Sequence, residues 1–252
     1  MGARVSHLWR HPIKGHGVEA VTSATLAPGA TMPWDRVWAI AHAAARIAPG
    51  ERAWAPCVNF SRGAKSPELM AIRARVNERE GTVTLTHPRR DAITVNPDLA
   101  EDAARLIAWV QPLADPDRAA PAFVVRANGR GWTDSDFPSV SILNAASLAA
   151  LGGRLGQDLA MERFRGNIWL EGLAPWEEFA LVGRELRIGE ARLLVRERIT
   201  RCNATTANPA TGRVDADTLG GLQSGWGHQD FGVYAEVVGG GRVALGDALT
   251  AA

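Results

Sequence analysis

The chain has 252 residues, 46% of them hydrophobic, which is enough for one large β-rich domain or two small ones. Its 28 basic residues nearly cancel its 27 acidic ones, so the net charge favours binding to neither nucleic acid nor an acidic membrane surface. Two cysteines far apart in the chain form neither a disulfide framework nor a paired metal motif. They allow one bridge, between Cys57 and Cys202, for which the sequence gives no support.

Met1 to Lys14 carries polar and charged residues throughout, so no secretory signal is expected. The longest apolar runs, such as Val37 to Ala45, fall far short of the roughly 20 residues that span a bilayer. We therefore expect a cytoplasmic protein with no membrane attachment.

Short strands are predicted for the first part of the chain, where alternating or β-branched runs lie between glycines and prolines. They are Arg4–Trp9, Val18–Leu26, Val37–Ala43 and a hairpin of Ala71–Val76 with Thr82–Thr86. Leu99, Leu106 and Val110 at helical spacing predict a helix from Pro97 to Val110. Prolines without periodicity in 111–121 predict a boundary between a module at 1–112 and a domain at 120–252.

The second part begins with an exposed loop over Gly129–Asp136. Asn144 then predicts a helix start, and Gly152-Gly153 predicts its end. The remainder is predicted to be mainly strands: Asn167–Leu170, Glu185–Ile188, Ala191–Arg196, Gly232–Val238 and Arg242–Leu245.

Cys202 is the most informative residue, because Arg201 precedes it and a run of hydroxyl, amide, proline and glycine residues follows it to Gly212. This setting favours a thiol that is presented rather than buried. A thiolate is a soft metal ligand and a nucleophile, and neighbouring positive charge stabilises it. The alternative is a small hydrophobic core residue.

Basic residues in three other segments point to an anionic ligand. Lys14 follows a Pro12 turn, although a solvated surface lysine is the alternative. Arg36 begins an apolar strand, where it can simply pair with Asp35.

The third segment carries Arg163, Arg165 and Asn167, which would share one face of an extended strand. Guanidinium groups fit phosphate or carboxylate, and an amide can pair with the edge of a heterocycle. Nearby acidic residues offer these arginines another partner: Glu162, Glu171, Glu177 and Glu178.

Other chemistries lack their motifs. The six histidines form no HExxH or Cys-x-x-Cys-type pattern, and the chain has no Gly-x-Ser-x-Gly elbow or phosphate-binding P-loop. A nucleophile pair of Cys202 and His228 is the remaining option.

Taken in order, these segments resemble the MOSC family, the domain shared by the C-terminal regions of molybdenum cofactor sulfurases and the amidoxime-reducing component proteins. His11–Gly15 and Asp35–Trp38 are similar to the N-terminal β-barrel module that precedes many MOSC domains. The other matching segments are Arg163–Ile168, Pro175–Glu178 with Gly183, Leu186–Gly189, Arg201-Cys202, Asn208–Gly212, Phe231–Tyr234 and Gly246-Asp247. The resemblance implies a mainly β (α+β) fold, a MOSC-type barrel with small helices preceded by a β-barrel-like module.

The resemblance also implies a molybdenum cofactor, with Cys202 as the ligand of the metal. The residues implied around its pterin and phosphate are Lys14, Arg36, Arg163, Arg165, Asn167 and Arg201, with Ser139, Ser141 and Thr200 as looser hydrogen-bond donors. Asp230 or water is the candidate proton donor. Pyridoxal phosphate binding is a further option at the level of the family.

Two positions depart from the family pattern. Gly15 replaces a serine and removes a hydroxyl, and Gly166 replaces a proline, which is expected to loosen the backbone. No cysteine cluster can hold an iron–sulfur centre, so electrons would come from a separate protein of a ferredoxin- or cytochrome-type reductase chain.

The resemblance to the amidoxime-reducing branch leads us to expect a reductase of small N-hydroxylated or N-oxide compounds that works by oxygen-atom transfer. The alternative is a sulfur-carrier or cofactor-handling protein with a persulfide or the cofactor on Cys202. A third hypothesis is a family member without enzymatic activity that only binds an anionic ligand.

Overall fold

The structure is a computed structural model that describes residues 2–251, so Met1 and Ala252 lie outside the described part of the two predicted modules. The predicted mainly β, α+β class is confirmed. The strands are β1 Arg4–Arg10, β2 Glu19–Val21, β3 Ser23–Leu26, β4 Trp38–His42, β5 Arg73–Asn77, β6 Thr82–His87, β7 Arg90–Val95, β8 Pro121–Arg126, β9 Val140–Asn144, β10 Ile168–Glu171, β11 Glu185–Ile188, β12 Ala191–Thr200, β13 Asp230–Gly239, β14 Gly241–Ala244 and β15 Leu249–Ala251. The α-helices are α1 Ala100–Val110, α2 Ala145–Leu155 and α3 Thr218–Trp226.

Eight strands form the main sheet, in the order β15-β11-β12-β13-β9-β10-β1-β2. Its neighbours are antiparallel except β9 and β10, which run parallel with Ile142 opposite Ile168. Successive side chains of a strand point to opposite faces, and this sheet buries both faces. Leu8 and Ile168 belong to one apolar cluster, while Trp9 and Trp169 belong to another. Strands β1 and β2 of the first predicted module thus complete the sheet of the second.

Smaller sheets complete the molecule. Strands β5, β6 and β7 form an antiparallel sheet, and the pairs β4–β8 and β3–β14 stand apart from it. Trp38, Leu85 and Leu106 belong to one buried cluster that joins β4, β6 and α1. The pairing of β3 with β14 again joins the beginning of the chain to its end.

The predicted hairpin is confirmed by β5 and β6, which pair from Arg73–Thr86 to Asn77–Thr82. The strand predicted from Val18 to Leu26 is instead two strands that separate at Thr22, because β2 pairs with β1 whereas β3 pairs with β14. Strands β7, β8, β9 and β15 and helix α3 were not predicted from the sequence.

Helix α2 begins as predicted, since the Asn144 side chain accepts a hydrogen bond from the Ala146 backbone N–H. The predicted stop at Gly152-Gly153 is wrong. The helix continues to Leu155 and ends at Gly156, which has a φ of 67°. A Cβ at Gly152 would lie 2.8 Å from the Gln157 carbonyl oxygen, so this glycine lets the segment after the helix fold back closely against it. None of the helices in residues 2–251 combines the length and apolar character that a membrane span requires.

Candidate functional site

A cavity of about 250 Å³ gathers most of the predicted site residues. Six basic side chains line it, and the one carboxylate in its lining is that of Asp134. The basic residues are Lys14, Arg36, Arg62, Arg163, Arg165 and Arg201. Both thiols, Cys57 and Cys202, line the same cavity, so the described lining combines a strong excess of positive charge with soft donors.

Lys14 is a buried residue that lines this cavity, not a solvated surface lysine. It is 4% exposed, and its Nζ donates to the Trp132 carbonyl at 2.7 Å and to Asp134 Oδ1 at 2.6 Å. Burial lowers the pKa of Lys14, and the Asp134 carboxylate opposes that shift. Partial enclosure in the cavity opposes ionisation of Asp134, but the Lys14 ammonium holds the pKa of this half-exposed carboxyl below its usual range. The two groups therefore stabilise each other as an ion pair.

Arg36 forms an ion pair with Asp35, which confirms the pairing expected from the sequence. It also lines the cavity. Its backbone has a φ of 53°, and its Nη2 donates to the Arg165 carbonyl at 3.2 Å. Asp35 also accepts the backbone N–H of His11 at 2.7 Å. Burial lowers the pKa of His11 to about 3, so this histidine is neutral and Asp35 carries the charge that fixes Arg36.

The strand predicted to carry Arg163, Arg165 and Asn167 on one face is wrong. Arg163 lies in a 3₁₀ turn, Met161–Phe164, and Arg165 has a φ of 47°, so strand β10 begins only at Ile168. This left-handed residue interrupts the period of two. Arg163 and Arg165 still reach the cavity.

Asn167 lies outside the cavity lining and is 1% exposed. Its Oδ1 accepts from the Ser141 N–H at 3.1 Å and from Ser141 Oγ at 2.9 Å. Its Nδ2 donates to the Trp9 carbonyl at 3.2 Å. These contacts tie β9 and β1 to the start of β10, and the pairing of Asn167 with a heterocycle stays a prediction.

The four glutamates considered as partners for Arg163 and Arg165 bind elsewhere. Glu162 pairs with Arg73 and Glu171 with Arg4. Glu177 accepts the Ala174 N–H, while Glu178 accepts bonds from Asn144 and Ser147.

Arg163 and Arg165 differ in their partners. Arg163 donates to Asp215 Oδ1 at 2.6 Å. Arg165 donates to the Gly17 carbonyl at 2.9 Å and has no carboxylate partner in residues 2–251. Burial and the nearby Arg36 lower the pKa of Arg165 to about 9. An anion beside Arg165 would relieve this repulsion.

Cys202 is exposed and free, which confirms that its thiol is presented to solvent. Its carbonyl accepts the Thr205 N–H at 3.2 Å and so begins the 3₁₀ turn Asn203–Thr206. The preceding Arg201 lies against the Phe164 and Phe231 rings, and its Nη1 donates to the Phe164 carbonyl at 2.8 Å. Burial lowers the pKa of Arg201 to about 10.

The predicted hydrogen-bond donors and the predicted proton donor differ in whether they line the cavity. Ser141 and Thr200 line the cavity, whereas Ser139 and Asp230 do not. Ser139 Oγ accepts from Ser135 Oγ at 2.7 Å, and Asp230 accepts the Thr200 hydroxyl at 2.7 Å.

Four ionisable residues of the lining were not predicted: Cys57, Arg62, Asp134 and Tyr234. Asp134 lies in the predicted Gly129–Asp136 loop, and Tyr234 is the single tyrosine of the chain. Burial, aided by the Asp134 charge, raises the pKa of Tyr234 to about 12, so its phenol keeps its proton. Cys57 accepts a hydrogen bond from Arg62 Nη1 at 2.7 Å, and no sequence motif marks this pair.

Gly15 and Gly166, the two positions that depart from the family pattern, lie close against neighbouring atoms. Gly15 has a φ of 74°, and a Cβ there would lie 2.8 Å from the Ser61 carbonyl oxygen. A serine would therefore push away the segment that carries Arg62. A Cβ at Gly166 would overlap the Leu143 side chain, so this glycine makes room for Leu143, and the looser backbone expected there stays a prediction.

Relatives of the chain were found by sequence and by structure. Molybdenum cofactor sulfurase of Drosophila grimshawi is 35% identical over 96 residues, which are 37% of this chain but only 12% of that protein. The YuaD protein of Bacillus subtilis matches 99% of this chain and 94% of its own at 13% identity and a TM-score of 0.46. YiiM of Geobacillus stearothermophilus matches 45% of this chain and 53% of its own at 18% identity and a TM-score of 0.36.

Two family models match consecutive parts of the sequence. The MOSC N-terminal beta barrel domain matches residues 2–121, and the MOSC domain matches residues 133–250. The cavity draws Lys14 and Arg36 from the first range and Arg165 and Cys202 from the second. The chain belongs to the MOSC domain family.

Proposed function

We propose that the cavity binds the molybdenum cofactor and that the protein uses it to reduce N-hydroxylated or N-oxide compounds. The main support for this proposal is the set of residues that line the cavity. Six basic side chains face one carboxylate, and an exposed thiol lies among them.

The donor set fits an anionic, sulfur-ligated cofactor. Arg165 and Arg201 are bonded to backbone carbonyls rather than to carboxylates, so their charge is available to a phosphate. The Nε of Arg163, a residue that is 2% exposed, has no hydrogen-bond partner within the described chain. A buried N–H without a partner is costly, and an anion in the cavity would remove that cost.

Each residue would have a defined task. The Cys202 thiolate would ligate the metal, because thiolate is a soft donor. Lys14, Arg36 and Arg165 would hold the phosphate and orient the pterin. When bound, the cofactor supplies two-electron oxygen-atom transfer, and a separate reductase would supply the electrons.

Tyr234 is the residue of the lining best suited to contact the oxygen of the substrate. Its high pKa keeps the phenolic O–H protonated near neutral pH, so it can donate a hydrogen bond. Asp230, the proton donor expected from the sequence, lies outside the lining and is bonded to Thr200. Water is therefore the better candidate proton donor, because the raised pKa of Tyr234 makes its phenol a weak acid.

The test is metal analysis, pterin fluorescence and reductase turnover with an amidoxime or N-oxide, on protein made in a cofactor-competent host. We expect Cys202→Ala to abolish turnover and weaken metal retention while the β-rich circular dichroism is unchanged. Asn203→Ala is the matched control, since Asn203 is exposed and lies next to Cys202 outside the cavity lining. Full turnover in Cys202→Ala would refute the proposal.

A second candidate is sulfur handling, which one observation favours. A second thiol, Cys57, lies in the same cavity and is bonded to Arg62. The relative from Drosophila grimshawi is named a molybdenum cofactor sulfurase. Cyanide-labile sulfur on Cys202 in protein without molybdenum would support this candidate over the reductase.

A further inference from the structure

Cys57 and Cys202 line the same cavity. Cys57 is half-buried at the start of a 3₁₀ turn, Cys57–Asn59, whereas Cys202 is exposed at the start of another. The segment that follows Cys57 packs against the segment that follows Cys202. A Cβ built on Gly63 would lie 3.7 Å from the Cβ of Ala204. The two thiols therefore enter one cavity from adjoining segments.

Basic side chains lie around Cys57 in the cavity. Arg62 Nη1 donates to Cys57 Sγ at 2.7 Å, and Arg62 has no carboxylate partner in residues 2–251. The Lys14 ammonium lies within electrostatic reach of the same thiol. Arg163, whose buried Nε has no hydrogen-bond partner within the described chain, also lines the cavity. Arg62 is thus placed to donate to sulfur that is bound at Cys57.

We propose that Cys57 is a second sulfur-carrying residue, which takes the terminal sulfur of a persulfide formed on Cys202. This inference rests on the sulfur-handling candidate. The Cys57 thiolate attacks the terminal sulfur, a new S–S bond forms at Cys57, and the S–S bond at Cys202 breaks. Cys202 leaves as a thiolate with the electron pair, and the proton of the terminal sulfur stays on it. The exchange involves no net oxidation.

The difference in exposure gives the transfer a direction. Cys202 is accessible to an external sulfur donor, whereas Cys57 is more enclosed and held by Arg62. Persulfide sulfur on Cys57 is thus better protected from competing thiols in solution. Cys202 is the entry thiol, and Cys57 is the holding thiol.

The experiment treats the full chain with inorganic polysulfide, traps persulfides by alkylation and locates the added sulfur by peptide mass spectrometry. In the unchanged protein we expect sulfur first on Cys202 and then on Cys57. Cys57→Ser should keep its sulfur on Cys202, while Cys202→Ser should load Cys57 about tenfold more slowly. Arg62→Met should slow the transfer, and Arg62→Lys should restore part of it because it keeps the charge.

The outcomes separate the two hypotheses. Sulfur that stays on Cys202 and never appears on Cys57 overturns the transfer but leaves sulfur handling intact. Equal loading of Cys57 with and without Cys202 also overturns the transfer, because the donor then reaches Cys57 directly. If neither thiol loads in any variant, both the transfer and the sulfur-handling candidate fail.

Discussion

The Nζ of Lys14 lies 2.6 Å from Oδ1 of Asp134, and this ion pair joins two parts of the chain that different family models match. Lys14 is enclosed, whereas the Asp134 side chain is 51% exposed. The pair therefore fixes a buried cation at the edge of the cavity and leaves its counterion facing solvent. A carboxylate in this position holds the ammonium in place and also reduces the positive charge offered to a ligand.

Asp134→Asn should lower the free energy of unfolding by about 1 kcal/mol, because Lys14 loses its counterion but the exposed side of the pair is screened by solvent. The same change should raise the affinity for inorganic phosphate, since the described lining then holds no carboxylate. Urea denaturation and calorimetry measure the two effects. Asp136→Asn is the matched control, because Asp136 is exposed and its side chain makes no ion pair among residues 2–251. Weaker phosphate binding in Asp134→Asn would contradict the charge argument.

Arg165→Ala should weaken binding of the anionic cofactor about tenfold to 150-fold, because it removes a charge-assisted contact worth roughly 1.5–3 kcal/mol. Arg165→Lys should retain part of the affinity, since it keeps the charge without the planar fork. Cofactor occupancy is read from pterin fluorescence. Arg187→Ala changes the net charge equally at an exposed position of β11 and should leave occupancy unchanged. Equal losses in Arg187→Ala and Arg165→Ala would show that only net charge matters.

Local patterns drew attention to single residues, and the family resemblance joined them into one expected site. Lys14, Arg36 and Cys202 were found beside prolines, strand starts and charged neighbours. The wrong strand at Arg163–Asn167 has a clear physical cause. A non-glycine residue with a positive φ is rare, and nothing in the sequence signals that Arg165 adopts one.

Other features depend on contacts distant in sequence. The strand over Val18–Leu26 divides because β3 pairs with β14, which lies more than 200 residues later. Cys57 reaches the cavity because Gly15 and Gly63 allow close packing of its segment. No local pattern encodes such approaches, so the second thiol of the site was missed.

Two buried histidines should make the protein less stable in mild acid. Burial lowers the pKa of His16 to about 4 and that of His11 to about 3. The unfolded chain takes up these protons near pH 6.5, so between pH 6.5 and about 4 it binds more protons than the folded chain. The free energy of unfolding should therefore fall as the pH falls, with a limiting slope of about 1.4 kcal/mol per pH unit for each histidine.

Removal of one of these histidines tests the effect. His16 Nδ1 donates to the Lys14 carbonyl at 2.7 Å, and an asparagine can keep that bond without titrating. His16→Asn should flatten the dependence of stability on pH between 6.5 and 4, measured by urea denaturation at several pH values. His7→Asn, at an exposed position of β1, should leave the slope unchanged. An unchanged slope in His16→Asn would mean that His16 is protonated in the folded protein.

Gly166→Ala should lower the free energy of unfolding by about 1–3 kcal/mol, because its Cβ would overlap the fully buried Leu143. The cost should be smaller when Leu143 is already Val, since the shorter side chain leaves room for the new methyl group. A double-mutant cycle of Gly166→Ala and Leu143→Val measures this coupling. Gly153→Ala is the matched control, because Gly153 is exposed in α2 with no atom within 4 Å of a built Cβ, and it should stabilise the protein by up to about 1 kcal/mol. Additive effects in the cycle would contradict the argument, because they would show that the cost of Gly166→Ala does not come from contact with Leu143.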